Sequence, residues 1–455
     1  MKKALEGISV CDLSHVLAAP TTSMVLADFG AEVFHIEPPR GDDAREYGPF
    51  IDDQSAYFIS INRNKKSVVI DLKKEEGKDI LRDFIKVSDV VLENFRPDTM
   101  EKLGFSYEEI KKINPKIIYA SICGFGHDIL PQFKEKPSYD MVVQAYSGLM
   151  SINGPVGGPP CRVGTSVGDI VTGYQCAIAI LVALLYREKT GIGQKIDISM
   201  LDGLVYILEN AIVRYTVSGE IPKPLGTMHP TITPFQAYKT EDEWIVVPLG
   251  NDHLWTEFCK MINRQDLLND LRFKTNKLRT EHRDELNEIL DKIFESKTYK
   301  EWEELFEKND LPYSPINTID KVVNDIAVNY REMITEIDQP KVGKIRIAGS
   351  PFKMSETPGS VYAPAPLLGE HTEEVLKNIL NYPDNKIEDL RAKKVIYTYE
   401  DIEKMKKWKI IWKFNNLTGA FEGGYVAFLT GAVIIYNQEE NIVSFRLINS
   451  IFCYN

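Results

Sequence analysis

Apolar residues recur along the first two hundred positions of the chain, first in short continuous runs and then at helical spacing. Five short runs rich in β-branched and aromatic residues predict strands: Ile8–Leu13, Glu32–Ile36, Ser67–Leu72, Asp89–Phe95 and Ile117–Ile122. Apolar positions at helical spacing between several of these runs predict helices over Thr21–Phe29, Glu75–Lys86 and Tyr107–Ile113. This alternation predicts a doubly wound, Rossmann-like α/β domain whose crossovers are right-handed.

The pattern changes near Gly226, where a different set of elements begins. Phe235–Lys239 and Trp244–Pro248 predict a hairpin, and helices rich in Glu and Lys follow it. Strand character returns over Ile345–Met354, and His371–Leu380 predicts a helix. We therefore predict a large α/β domain over residues 1–225, a smaller α+β domain over 226–330, and a return segment to the large domain over 331–396.

Residues 397–455 form a C-terminal extension in which no catalytic motif occurs. Glu400–Trp412 is basic and has helical spacing, Gly423–Tyr436 is apolar, and Asn441–Tyr454 is β-rich. The apolar run is too short and too interrupted to predict a membrane span. We expect these strands to pack on the large domain or to pair as a hairpin, without a catalytic role.

Composition and charge disfavour several classes of partner. The chain has 54 basic and 66 acidic residues, a net charge of −12, so nucleic-acid binding is not expected. Its six cysteines form no C-x-x-C motif, which favours free thiols in a reducing cytoplasm. The longest apolar run, Cys176–Tyr186, is shorter than the roughly 20 residues that span a bilayer, so no membrane partner is expected either.

Two kinds of cofactor site are likewise not expected. The turn after the first predicted strand, Leu13–Pro20, lacks the G-x-G-x-x-G glycines that hold a dinucleotide. No H-E-x-x-H or comparable spacing relates the five histidines His35, His127, His253, His282 and His371, so the sequence predicts no metal site.

Asp169 is the clearest candidate for chemistry. Small, turn-prone residues over Cys161–Gly168 precede it, and a long apolar run from Ile170 follows, with Gly191 beyond its end. This arrangement predicts a loop that delivers Asp169 to the N-terminus of a helix, where the helix dipole favours the anionic carboxylate. On local sequence alone, a helix cap with no further role is commoner than a nucleophile, and both interpretations stay open.

A set of motifs then recurs in order along most of the chain. They are Leu5–Ile8, Asp12–Val16, Leu26–Val33, Asn64–Ser67, Asp71–Lys73, Glu93–Pro97, Tyr139–Asp140, Gln144–Ala145, Ser147–Met150, Gly168–Asp169, Thr190–Gln194 and Leu368–Thr372. Each motif is weak alone, but the ordered set strongly resembles the class III CoA-transferase family, which includes the carnitine, formyl-CoA/oxalate and bile-acid CoA-transferases.

The resemblance implies that Asp169 is a nucleophile that moves CoA from an acyl-CoA donor to a free carboxylic acid. Attack on the thioester would give a mixed anhydride, and the released thiolate would convert it into an aspartyl-CoA thioester that the incoming acid resolves. The resemblance also implies an interlocked homodimer and no cofactor beyond CoA or acyl-CoA. A non-enzymatic CoA-binding protein is the alternative from another functional class.

The resemblance further assigns CoA contacts and a substrate pocket. The CoA contacts are His15, Val16, Ala18, Leu72, Lys73, Asn94, Phe95, Lys102 and Leu103, with Arg40 standing in for a family arginine whose position holds Pro38. Lys73 and Lys102 are expected to meet phosphates, and Phe95 and Leu103 to flank adenine. The pocket residues are Leu17, Tyr139, Gly226, Thr227, Met228 and His229.

Two departures from the family pattern bear on the substrate. The formyl-CoA/oxalate members carry Gln where this chain has Leu17, and a run of four glycines where it has 226–230, which favours an acid larger than oxalate. The 2-methylacyl-CoA racemases of the family place His at the position of Tyr139. Because the unperturbed tyrosine pKa is near 10, racemase activity is the less favoured alternative. The donor and acceptor stay open, and family frequency alone favours succinyl-CoA as donor.

Overall fold

A computed structural model describes residues 3–134 and 136–405, together with the strands of 424–429, 432–437 and 442–447. The first part of the chain contains β1 (Ser9–Asp12), α1 (Ala18–Asp28), β2 (Glu32–Glu37), a 3₁₀ turn (Asp43–Glu46), β3 (Phe50–Ile51), β4 (Gln54–Ser55), α2 (Ala56–Ile61), β5 (Lys65–Ile70), α3 (Glu75–Val87), β6 (Val90–Glu93), α4 (Thr99–Leu103), α5 (Tyr107–Ile113), β7 (Ile118–Cys123), α6 (Pro131–Lys134), α7 (Asp140–Tyr146), α8 (Leu149–Ile152), α9 (Val167–Thr190), β8 (Lys195–Ser199), α10 (Met200–Tyr206) and α11 (Ala211–Ser218).

A seven-stranded sheet in the order β14-β5-β2-β1-β6-β7-β8 organises this part of the chain. The strands from β5 to β8 pair in parallel, and β14 (Ile396–Tyr397) adds to the edge antiparallel to β5. All five predicted strands are present, and the expected large α/β domain with a parallel sheet is confirmed. β8 was not predicted, because it is an edge strand of alternating polar and apolar residues.

Helices cover both faces of the sheet and form two apolar cores. One core packs α3, α5, α19 (Thr372–Asn378) and α20 (Asp384–Ala392) against the sheet around Phe34, Phe84 and Ile110. The other packs α1 and α9 against the opposite face around Leu26 and Ile180. The strand order reverses between β1 and β6, and ligands of such sheets bind at the carboxyl ends of the strands at this point.

α9 is the central helix of the second core. Among the described residues it is the one helix long and apolar enough to cross a bilayer, but Cys176, Ile180 and Ala183 on its inner face are buried against α1 and the sheet. A Cβ on Gly173 would lie 2.6 Å from the carbonyl oxygen of Ala18, so only glycine allows this close approach of the two helices. These contacts are those of a core helix.

The second part of the chain forms a separate unit with its own core. It contains β9 (Phe235–Lys239), β10 (Trp244–Pro248), α12 (Asp252–Met261), α13 (Gln265–Asn269), a 3₁₀ turn (Leu271–Phe273), α14 (Asn276–Glu281), α15 (Arg283–Phe294), α16 (Tyr299–Lys308), β11 (Ser314–Pro315), α17 (Ile319–Asn324) and α18 (Ile326–Tyr330). β9 and β10 pair as the predicted hairpin, and β11 adds to β10. Trp255, Phe294 and Trp302 are fully buried at the centre of the core.

The chain then returns to the large sheet through β12 (Ile334–Gln339), β13 (Gly343–Ala348), α19 (Thr372–Asn378), α20 (Asp384–Ala392) and β14. Because β14 ends at Tyr397, the sheet continues one residue past the predicted boundary at 396. Residues 399–405 are helical, and Asp401 pairs with Arg391 of α20 at 2.7 Å. The rest of the predicted 400–412 helix lies outside the described residues.

Three strands of the extension are described, β15 (Gly424–Leu429), β16 (Ala432–Asn437) and β17 (Ile442–Leu447). They pair with each other as an antiparallel meander, which agrees with the expected pairing of these runs. Residues 448–454 of the predicted β-rich run lie outside the described residues.

Candidate active site

The loop after β1 is fixed by the loop after β6. The amide of Asn94 accepts a hydrogen bond from the backbone N–H of His15 (2.9 Å) and donates one to the backbone carbonyl of His15 (2.8 Å). The rings of His15 and Phe95 lie 5.6 Å apart between centroids. Three of the predicted CoA-binding residues therefore meet at the point where the strand order reverses.

Val16 holds an unusual backbone conformation in this loop. Its φ angle is +67°, in the left-handed region that β-branched residues rarely occupy. Its backbone N–H donates to Asp42 Oδ1 at 3.0 Å, and the same oxygen accepts from the N–H of Ala44 at 2.8 Å. Asp42 thus couples this strained loop to the 3₁₀ turn after β2.

A cluster of buried charges lies beneath the loop. His35 Nδ1 is 3.3 Å from Asp12 Oδ2, and His35 Nε2 is 3.5 Å from Asp42 Oδ2. Lys65 Nζ lies 3.6 Å from Asp12 and donates to the side chain of Asn62 at 2.8 Å. Burial alone would lower the pKa of His35, but the two neighbouring aspartate carboxylates raise it to about 9. His35 and Lys65 therefore supply the positive charge that two buried carboxylates require.

Asp169 lies in the first turn of α9, three residues after Ser166, which is the N-cap. The backbone N–H of Gly168 donates to Asp140 Oδ1 at 2.8 Å, and Asp140 Oδ2 accepts from Gln144 Nε2 at 2.8 Å. The side chain of Gln144 in turn accepts from the N–H of Val163 at 2.9 Å. Asp140 and Gln144 hold the helix start, so the capping role considered for Asp169 does not apply.

The charge state expected for Asp169 needs correction. The sequence predicted a carboxylate favoured as an anion by the helix dipole, but burial and the nearby Asp140 carboxylate raise the pKa of Asp169 to about 7. Among the described residues no group donates a hydrogen bond to its side chain. Desolvation and like charge therefore outweigh the dipole of α9 at this position.

This pKa leads to a pH prediction. Because a nucleophilic Asp169 must be deprotonated, kcat/KM is expected to fall as the pH drops through about 7. Asp140→Asn removes the like charge and lowers the pKa of Asp169, so the acidic limb of the pH profile should move to lower pH. Asp79→Asn, on the exposed surface of α3, is the matched control and should leave the midpoint in place. An unmoved midpoint in Asp140→Asn would contradict the assignment of this acidic limb to Asp169.

Two adjoining clefts open at the carboxyl ends of the strands. The inner cleft is lined by His15, Val16, Leu17, Ala18, Asn94, Phe95, Arg96, Lys134, Lys136, Tyr139 and Asp169, among others. The outer cleft is lined by His15, Pro38, Arg40, Leu72, Lys73, Phe95, Thr99 and Leu103, among others. His15 and Phe95 belong to both. The two clefts therefore form a continuous surface from Asp169 to Lys73 and Arg40.

Most of the predicted site residues line these clefts. Arg40 is largely exposed at the outer cleft and pairs with Asp43 at 2.7 Å, and Tyr139 is 71% exposed at the inner cleft. Lys102 lies on the exposed side of α4 and lines neither cleft, although its neighbour Leu103 lines the outer one.

The four predicted pocket residues Gly226–His229 also line neither cleft of the single chain. The hydroxyl of Thr227 accepts from the N–H of Ala237 at 3.0 Å, and the N–H of His229 donates to the carbonyl of Phe235 at 2.9 Å. These contacts hold the segment against β9. Within one chain it is therefore part of the smaller unit and not of the inner cleft.

The sequence prediction missed two groups of residues. One is the buried cluster of Asp12, His35, Asp42 and Lys65, for which charged residues inside or beside apolar strands were the available signal. The other is the wall formed by Arg96, Lys134 and Lys136. The available signal for these residues was their position along the chain, just after a predicted strand or shortly before Tyr139.

Comparison with known proteins identifies the family of this chain. A model of CoA-transferase family III matches residues 5–372. The chain belongs to CoA-transferase family III. It is 39% identical to succinyl-CoA:glutarate CoA-transferase of Mus musculus over 88% of this chain and 91% of that protein. It is also 39% identical to acetyl-CoA:oxalate CoA-transferase of Acetobacter aceti, over 78% of this chain and 90% of that protein.

A solved structure shares the fold of this CoA-transferase. The crystal structure of a CAIB/BAIF family protein from Brucella suis superposes with a TM-score of 0.72 and 34% identity, covering 82% of this chain and 99% of that chain. The protein is an enzyme that transfers CoA to a carboxylic acid. The alternative of a non-enzymatic CoA-binding protein is thereby set aside.

Proposed function

We propose that this CoA-transferase uses Asp169 as its nucleophile and retains the thioester energy in covalent intermediates. The Asp169 carboxylate attacks the thioester carbonyl, the C–S bond breaks, and CoA leaves as a thiolate from a mixed anhydride. The thiolate then attacks the Asp169 carbonyl, releasing the donor acid and forming an aspartyl-CoA thioester. The acceptor acid reverses both steps. The observation that carries the proposal is the accessible Asp169 carboxylate at the end of a cleft that continues to Lys73 and Arg40.

The two clefts suggest how CoA lies in the enzyme. We propose that the phosphates meet Lys73 and Arg40 at the outer cleft, since both are cationic and line it. The ring of Phe95, shared by both clefts, would pack against the part of CoA that passes between them. This orientation delivers the sulfur towards Asp169 and needs no cofactor beyond CoA.

The charge of the inner cleft supports an acid with a second carboxylate. Arg96, Lys134 and Lys136 line the same cleft as Asp169. Lys136 Nζ lies 4.5 Å from the ring centre of Tyr146, which positions its ammonium group. Succinyl-CoA:mesaconate CoA-transferase of Haloarcula hispanica is 38% identical over 82% of this chain and 96% of that protein. Together with the relative that acts on glutarate, it favours succinyl-CoA as donor and a short dicarboxylic acid as acceptor.

A matrix of donors and acceptors tests this substrate class. Succinyl-, acetyl- and propionyl-CoA would each be assayed with glutarate, mesaconate, oxalate and a monocarboxylate of matched length. We expect the highest kcat/KM for succinyl-CoA with a dicarboxylate longer than oxalate. Lys136→Met should lower kcat/KM roughly tenfold or more for that dicarboxylate, because it removes a charge-assisted contact, and should affect the monocarboxylate little.

A separate incubation tests the racemase alternative. When the enzyme is incubated with a 2-methylacyl-CoA in heavy water, and no acceptor acid is added, the thioester should keep its α-hydrogen and its chirality. Rapid α-deuteration would favour the racemase alternative and would contradict the inference that Tyr139 disfavours it. Equal rates for monocarboxylates and dicarboxylates would contradict the substrate class alone.

We further propose that the active enzyme is an interlocked homodimer. The outer face of α9 exposes Ile178, Val182 and Leu185, and Tyr206 and Val217 on the following helices are more than four-fifths exposed. Contiguous apolar surface of this kind is rarely left in water. Burial in a second copy would cover it and would give the 226–229 segment a route to the partner's cleft.

A further inference from the structure

A second group of chemically reactive side chains lies at the carboxyl end of β7, where Cys123 lines the inner cleft. Cys123 ends β7, His127 follows in the next turn, and Asp197 is on the neighbouring strand β8. One ligand atom from each of the three residues lies within 4.8 Å of the corresponding atoms of the other two. None of them enters the transfer chemistry proposed for Asp169. We propose that Cys123, His127 and Asp197 form a binding site for one thiophilic divalent cation of the Zn²⁺ type.

The turn after β7 brings Cys123 and His127 to the same carboxylate. Gly126 has a φ angle of +89°, a left-handed conformation that glycine adopts without strain. The chain turns back after Cys123, and the backbone N–H of His127 donates to Asp197 Oδ2 at 2.9 Å. Ligand atoms from β7, from the turn and from β8 therefore converge at one place.

One ring nitrogen of His127, Nε2, faces the carboxylate of Glu93. This nitrogen is buried, has no hydrogen-bond partner among the described residues, and lies 3.8 Å from Oε1 of Glu93. A metal-bound histidine usually directs its second ring N–H at a carboxylate, which fixes the ring. Coordination through Nδ1 would place a proton on Nε2 facing Glu93. Glu93 is itself fixed by the hydroxyl of Tyr119 at 2.9 Å and the N–H of Phe95 at 2.6 Å.

Asp197 completes the ligand set and gives a route for entry. Its carboxylate is oriented by the backbone N–H of His127 (2.9 Å) and of Asp128 (3.1 Å). Because Asp197 is exposed while Cys123 is buried, a cation can reach the site from solvent and be enclosed on its inner side. One sulfur, one nitrogen and one carboxylate oxygen suit Zn²⁺, whereas Mg²⁺ and Ca²⁺ prefer oxygen ligands alone. Water would take the fourth position.

The test uses the untagged full-length enzyme, stripped with a chelator and then loaded with Zn²⁺ or Co²⁺. After desalting we expect about one tightly bound Zn²⁺ per chain and, with Co²⁺, a thiolate-to-cobalt charge-transfer band. Cys123→Ser should abolish the band. Asp197→Asn, at an exposed position, should weaken Zn²⁺ binding by roughly tenfold or more. Cys161→Ser, which changes a half-exposed thiol outside the cluster, is the matched control and should keep both the band and the affinity.

The outcomes separate this site from the transfer reaction. Circular dichroism measured on each variant shows whether the chain is folded; CoA transfer is not used for this purpose, because Cys123 lines the inner cleft. In a folded Cys123→Ser variant, a remaining band would show that another thiol binds the metal and would overturn the proposal. So would the absence of retained Zn²⁺ in the unmodified enzyme. Neither result would bear on Asp169.

Discussion

Asp169→Ala is expected to abolish CoA transfer in an enzyme that stays folded. Only a carboxylate can accept the acyl group and then carry CoA, so kcat should fall by roughly 10⁴-fold or more, the scale of removing a covalent nucleophile. The pKa of Asp169 is raised to about 7 in the folded chain. Keeping this side chain ionised therefore costs stability at higher pH. At pH 8 we accordingly expect the melting temperature of Asp169→Ala to equal or exceed that of the unmodified enzyme.

Asp169→Glu is the matched control for this experiment. It keeps the carboxylate but moves it by one methylene, so transfer should be reduced by about 10²-fold and not eliminated. Hydroxylamine should trap an adduct at residue 169 in the unmodified enzyme incubated with acyl-CoA, and none in Asp169→Ala. Substantial transfer by a folded Asp169→Ala would rule out the covalent mechanism.

The second large effect is expected at Lys65. Its ammonium group is fully buried beside Asp12, so Lys65→Met leaves the two buried carboxylates of Asp12 and Asp42 with His35 as their one remaining cation in the cluster. Removing one partner of a buried ion pair costs about 3–5 kcal/mol of the free energy of unfolding. Denaturant unfolding monitored by tryptophan fluorescence and circular dichroism would measure the loss.

Lys66→Met, at the next position of β5, provides the comparison. Lys66 pairs at the surface with Glu32 and Glu374, both at 3.0 Å, and such exposed pairs contribute less than about 1 kcal/mol. The two variants remove the same side chain from neighbouring residues. Similar losses for both would show that the buried cluster is not a centre of stability.

The fold was largely predictable because its signal is local. β-branched runs alternate with helical spacing, so the strands of the parallel sheet and the β9–β10 hairpin could be placed from sequence. β8 escaped this signal, because an edge strand needs no continuous apolar run. The return of β14 to β5 joins residues more than three hundred positions apart, and no local pattern specifies such a pairing.

Several of the predicted site residues could be placed in one cleft from sequence motifs, whereas their electrostatics could not be predicted. Asp169, Tyr139 and the His15 loop were placed by motif, and they line the same cleft. The pKa of Asp169 could not be predicted, because it depends on burial and on Asp140, which is 29 positions earlier in the chain. The position of Gly226–His229 against β9 likewise depends on tertiary contacts that the local sequence of this segment does not indicate.

Among the residues that the structure describes, the two clefts share only His15 and Phe95, and this has a consequence for how the enzyme can diversify. Substitutions at Leu17 or Tyr139 change the inner cleft alone, whereas Lys73 and Leu103 belong to the outer cleft alone. Under the proposed orientation of CoA, a different acid can be accommodated by substitutions in the inner cleft, while the residues proposed to hold the nucleotide end of CoA stay unchanged. The names of three relatives are consistent with this separation, because each names a CoA-transferase and each names a different acid. Directed evolution towards another acceptor should accordingly leave the His15–Phe95 pair untouched and explore the inner cleft around it.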